Sequence, residues 1–159
     1  MAVDYFLKID GIPGESADAK HKDEIDVLAF SWGVSQSGST SPGGGGGAGK
    51  AVFEDLLVVA RTSKASPKLW LACASGQHLK SAVLTCRKAG KAPFEFLKIT
   101  LSDVLISSYE IDGSDDELPL DQVALAFAKV ETVYTPQDAT GKAQPPVKAG
   151  WDVKQNKKL

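Results

Sequence analysis

Val123-Ala124-Leu125-Ala126-Phe127-Ala128 sets large side chains at the odd positions and alanines at the even ones. Side chains of a β-strand alternate sides with a period of two, so this stretch sends one bulky apolar row to one face and a flat alanine row to the other. A single sheet would bury one row and leave the other bare. A second stretch behaves alike: in Val52-Phe53-Glu54-Asp55-Leu56-Leu57-Val58-Val59-Ala60 both parities end apolar. Parallel strands buried between helices also read this way, but they need long amphipathic crossover helices, and the chain offers one short helix signal. The better reading is a β protein that assembles, with another copy of itself covering the second face.

The 159 residues suffice for one domain with its own core, and 43% hydrophobic and 24% charged residues are ordinary for a globular chain. Eighteen basic and twenty acidic side chains give a net charge of −2, which argues against a nucleic-acid partner. The one cationic cluster, Lys154, Lys157 and Lys158, reads as a solvated tail. Met1-Ala2-Val3-Asp4-Tyr5 has neither the basic nor the apolar region of a signal peptide, and no stretch reaches membrane-spanning length. The expectation is synthesis in the cytoplasm, no membrane insertion, and any export without a cleaved signal. Cys73 and Cys86 are too few for a disulfide framework and lack metal-ligand spacing, so both are expected as small apolar groups.

Val3, Tyr5, Leu7 and Ile9 alternate with Asp4, Lys8 and Asp10 and predict a first strand, stopped by Gly11, Pro13 and Gly14. From Ile25 a second strand is expected to place Leu28, Phe30, Trp32 and Val34 on one face. Ala29, Ser31, Gly33 and Ser35 then form a small polar face opposite. Residues 38–50 hold nearly half of the chain's fifteen glycines beside Ser39, Thr40, Ser41 and Pro42, a composition that packs nothing and fits a pliant loop. Ser66-Pro67 predicts a helix with serine as N-cap, running to a stop at Gly76. Strand patterns return from Leu79, then from Leu97 to Tyr109 with a bend or bulge near Ser102-Asp103, and from Val123 to Tyr134. In the last of these, large side chains change parity between Phe127 and Val130, which predicts a bulge or sharp twist. A short strand around Val147, Ala149, Trp151 and Val153 closes the chain.

Catalytic and ligand-binding motifs fail on inspection. Gly44-Gly45-Gly46-Gly47-Ala48-Gly49-Lys50 fits a phosphate-binding loop until Ala51 replaces the required hydroxyl, and a strand rather than a helix follows. Asp112, Asp115, Asp116 and Glu117 lack calcium-loop spacing. His21 and His78 have no neighbouring ligands, and Glu54-Asp55 point to opposite faces of a strand. The chain therefore reads as a non-enzyme, without cofactor or metal.

Several separated motifs together resemble the haemolysin-coregulated protein (Hcp) family. They are Ser31-Trp32-Gly33-Val34-Ser35-Gln36-Ser37-Gly38; Ser66-Pro67-Lys68-Leu69 with Ala72-Cys73 and Gly76; Arg87-Lys88-Ala89-Gly90; Tyr134-Thr135-Pro136-Gln137; and Gly150-Trp151-Asp152-Val153-Lys154-Gln155-Asn156. The resemblance implies the tube subunit of bacterial type VI secretion. That means a mainly β fold over residues 1–159, a two-sheet β-barrel with one short α-helix, closing into a homohexameric ring that stacks into a hollow tube. It further implies a spike protein at the tube tip, a contractile sheath around it, small effector proteins in the lumen, and secretion of the subunit itself. The Gly-rich loop is similar to the family's extended loop that meets the neighbouring ring, which makes Ser39, Ser41, Gly43, Gly46, Gly49 and Lys50 the ring-stacking candidates. Ser31, Gly33 and Ser35 are candidates for the lumen wall. Leu57, Val59, Ala124 and Ala126, from the two doubly apolar strands, are candidates for the subunit interface, the alanines standing where the family often has polar residues. The rival reading is a secreted β-sandwich that binds carbohydrate or protein through Trp32, Trp70 and Trp151.

Overall fold

A computed structural model describes residues 2–38 and 49–159. Along these residues the chain forms β1 (Val3–Ile9), β2 (Ile25–Val27), β3 (Ala29–Ser31), β4 (Val34–Gln36), β5 (Ala51–Phe53) and β6 (Leu56–Arg61). It continues as α1 (Ser66–Ser75), β7 (His78–Lys88), β8 (Phe94–Ser114), β9 (Glu117–Tyr134), β10 (Val147–Asp152) and β11 (Lys157–Lys158). The spine is the antiparallel β8–β9 hairpin, whose register runs from Ser114 opposite Glu117 to Leu97 opposite Tyr134. Its tight turn is the acidic Asp115-Asp116, residue types that tolerate turn geometry at low cost. β7 pairs with β8, β1 with β7 and β2 with β1. The other edge of β9 is shared, its first half pairing with β6 and its second with β10.

The expected closed barrel is not formed. β2 pairs with β1 and β3 with β6, but no ladder joins β2 to β6, and at that seam Leu28 N–H donates to Val59 O at 2.8 Å. β4 and β5 form a separate two-stranded ribbon rather than half of a barrel. The expected long strand from Ile25 is accordingly three short ones, because its partner changes from β1 to β6 to β5 along its length.

Alternation decides the core. On β6 the even positions Leu56, Val58 and Ala60 are buried, and on β9 Val123 and Leu125 meet them from the facing ladder. Leu7, Leu84, Leu101, Val104 and Ile106 complete one cluster, which α1 covers with Leu69 and Ala72. Buried positions on β9 are odd up to Leu125 and even from Ala128, as the change of parity predicts. No register shift accompanies the change, because Ile106 faces Leu125 and Leu101 faces Val130 in one unbroken count. The turn comes from β8 instead, where Asp103 takes a left-handed φ of 54°. The expected irregularity near Ser102-Asp103 is this backbone turn, and the register shifts of β8 lie further on, between Ile106 and Ser108 and between Asp112 and Ser114.

Ser66 is not the helix N-cap. Ala65 holds that position without a side-chain bond, and Ser66 is the first helical residue, with Pro67 next. Its hydroxyl donates instead to the carboxylate of Asp121. Asp121 is 1% exposed and also accepts from Thr62 Oγ1 and Tyr109 OH, each at 2.9 Å. Burial, and then the Asp121 contact, holds the Tyr109 phenol above its ordinary range. This network ties the start of α1 to β8 and β9. Asp121→Ala would leave three hydroxyls without their acceptor, and thermal denaturation should show a loss of about 3 kcal/mol. The expected αL stop at Gly76 is present, with φ 64°. Cys73 and Cys86 are free thiols, and burial pushes the Cys86 thiol up to about 11.

Candidate functional site

The alternation that buries Leu56 and Val58 turns Leu57 and Val59 to the opposite face of the sheet. Ser31, Leu57 and Ala124 stand side by side across β3, β6 and β9, and the row continues to Ser108 on β8. Beside it run Ala29, Val59 and Gln122, continuing to Glu110. Ala126 lies on the same side of β9, opposite Leu105. All four interface candidates therefore share one face, with Leu57 39% exposed at its centre. Leu57, Val59, Ala124 and Ala126 give that face an apolar centre, bordered by the polar Ser31, Ser108, Gln122 and Glu110.

The lumen-wall candidates divide. Ser31 belongs to the row just described. Gly33 lies between β3 and β4, where its carbonyl accepts from Glu54 N at 2.9 Å and an added Cβ would approach Glu54 Oε2 to 3.2 Å. Ser35 is exposed on the ribbon opposite Val52. The small polar strip expected from sequence is thus interrupted at Trp32-Gly33.

The ribbon carries the Gly-rich segment. Val34 and Val52 are 53% and 58% exposed on it, so it stands away from the core. Phe53 anchors its base, with ring centroids 6.3 Å from both Trp32 and Phe127 and 6.5 Å from Trp151. Gly49 crosses so close to the opposing arm that a Cβ would fall 2.8 Å from Ser37 Oγ. Lys50 beside it is exposed. The candidates Ser39, Ser41, Gly43 and Gly46 lie outside the described residues.

Trp32 and Trp151 line a groove of about 210 Å³ with Val34, Phe53, Val130 and Thr132. Trp70 is exposed on α1 and takes no part in it, so the three tryptophans do not converge as a binding module would require. Glu54 and Asp55 fall between β5 and β6, where Asp55 accepts from Ser107 Oγ at 2.6 Å. His78 and Lys154 both pair with Asp103 on the surface and, in that order, hold its carboxyl below the usual carboxylate range. Among the described residues no group of His, Cys, Asp or Glu is placed to hold a metal, and no helix is long and apolar enough to cross a membrane.

Two features escaped the reading of the sequence. Asp121 shares the parity of Val123 and Leu125, which marked it as a carboxylate directed inward. The Phe53 anchor joins aromatics from four distant segments, and no local pattern announces such a meeting.

Known proteins share both sequence and fold with this chain. The family model for the type VI secretion system effector Hcp matches residues 6–134. Protein hcp1 of Pseudomonas aeruginosa strain PAO1 is 52% identical over 159 residues, with 98% of each chain covered. The crystal structure of Hcp1 from Salmonella typhimurium superposes with a TM-score of 0.83 at 38% identity, covering 100% of both chains. A structure described as that of a type six secretion system protein gives a TM-score of 0.93 at 33% identity, covering 99% of this chain and 100% of the other. With the mainly β fold, the single short helix and the sequence motifs all in agreement, the chain belongs to the Hcp family of the type VI secretion system.

Proposed function

We propose that this chain closes into a hexameric ring through a heterologous contact, in which the Leu57–Ala124 face of one copy meets a different patch on the next. The observation that carries the reading is that face itself: Leu57 and Ala124 pair across β6 and β9 with Val59 and Ala126 half-buried on the same side, and Leu57 stays 39% exposed in a single copy. Ser31 lies where the face ends at the short strand β3, a place suited to the border between interface and lumen. Rings then stack through the Gly-rich ribbon into a hollow tube that carries small effector proteins. A spike protein caps the tube and a contractile sheath surrounds it, and the subunit leaves the cell with the tube.

Light scattering on the purified protein tests the ring. A chain of 16.8 kDa should elute as a discrete particle of about 100 kDa that survives dilution. A monomer or dimer whose mass responds to an added sugar would instead favour the binding-module reading. Stacking is separable from closure. Replacing residues 39–48 with a short turn should leave rings intact while removing their end-to-end association, as read by sedimentation velocity. Unchanged stacking would remove the loop from that role.

A further inference from the structure

We propose that the tip of the β8–β9 hairpin of one copy docks on the outer face of α1 of another, a contact between copies separate from that at Leu57. It rests on the reading that the chain assembles with itself. The helix supplies the first half of the argument, because it is apolar on two sides. Its inward stripe, Leu69, Ala72 and Cys73, packs on the core. Pro67, Trp70, Leu71 and Ala74 stand at i, i+3, i+4 and i+7, the spacing of one helix face, and all four are exposed. Trp70 and Leu71 are each more than half exposed. A surface helix ordinarily turns charge away from the core, and a helix apolar all round is ordinarily covered. The charges here are Lys68, one turn before Leu71, and Lys64, two residues ahead of the helix; α1 has no acidic residue. Such a face calls for a partner that is apolar and anionic.

The hairpin tip is a surface of that kind. From Ile99 to Ala128 the chain has no Lys or Arg. Glu110, Asp112, Asp115, Asp116 and Glu117 gather in the middle of this stretch, all exposed. Ile111 and Leu118 lie among them, each more than half exposed. Among the described residues none of these five carboxylates forms an ion pair, and neither does Lys64 or Lys68.

One copy does not bring its own two surfaces together. Ser66, at the start of α1, is bonded to Asp121 beside Tyr109, and the chain leaving α1 enters β7 with His78 opposite Leu105. The helix therefore runs back along β8 from Tyr109 toward Leu105. The tip lies the other way, with Glu117 about 13 Å beyond Asp121 at the rise of a strand. A meeting of tip and helix is thus heterologous, the tip of one copy on the helix of the next, and can repeat from copy to copy. Opposite charge sets its orientation, and the four large apolar side chains supply the area that leaves water.

Charge reversal tests the contact on the purified full chain by sedimentation velocity. Lys64→Glu with Lys68→Glu, and separately Asp115→Lys with Asp116→Lys, should each weaken assembly about tenfold, because like charges then face each other. All four positions are exposed, an acid in the first turn of a helix is favourable, and neither Asp115 nor Asp116 has a positive φ, so circular dichroism should show both variants folded. The four changes in one chain reverse both surfaces and should restore most of the lost assembly. In the otherwise unaltered chain, a benzophenone side chain at Leu71 should cross-link to residues 110–118 of another copy. Unchanged assembly in both double variants, no recovery in the fourfold variant, or cross-links that miss the hairpin tip would overturn this contact and leave the ring standing. A wild-type chain that stays monomeric would overturn both.

Discussion

Leu125→Arg is expected to yield no folded protein. Leu125 is 0% exposed, with Leu56 opposite on β6 and Ile106 opposite on β8. A guanidinium there would be forced among Leu56, Ile106 and the rest of the apolar cluster, and burying a charge in such a site costs several kcal/mol. Losing the leucine adds about 2–5 kcal/mol of core packing. A domain of this size has about 5–15 kcal/mol of total stability to lose, so the sum removes most or all of it. Circular dichroism and size exclusion check the outcome. A cooperative transition at the wild-type temperature would mean that the odd face of β9 is not the core face.

Leu57→Arg carries the same chemistry to a neighbouring ladder position and should do something different. Leu57 faces away from the core beside Ser31 and Ala124, and a long cationic side chain there reaches water without disturbing Leu56 or Val58. Monomer stability should change by no more than about 0.5 kcal/mol. Assembly should fail, because the substitution places an unpaired charge at the centre of the proposed contact. The expected protein is folded, monomeric and unable to form rings by light scattering. Rings of normal mass from this variant would show that the Leu57 face lies outside the subunit contact.

The contrast between these two leucines was legible in the sequence only in part. Period-two alternation marked both strands as apolar on two faces, and the structure assigns the faces by register: Leu125 inward with Leu56, Ala124 outward with Leu57. Alternation carries no information on which partner a strand takes. The segment from Ile25 to Gln36 therefore read as one strand, although its pairing passes through three neighbours and the sheet stays open at Leu28. Ser66 illustrates a second limit. A serine before proline signals an N-cap because its hydroxyl suits free helix N–H groups, but the buried Asp121 is a stronger acceptor and takes it. The contact between His21 and Glu95 was hidden for a related reason: Glu95 lies far along the chain, and only the pairing of β7 with β8 and β1 brings it near.

Electron microscopy of the purified wild-type chain is the most direct trial of its assembly. Annular particles with sixfold symmetry and an open centre, with Leu57 and Ala124 of each copy covered by the next, are the predicted result. A monodisperse, well-folded single chain at high concentration, with that face bare to solvent, would contradict it.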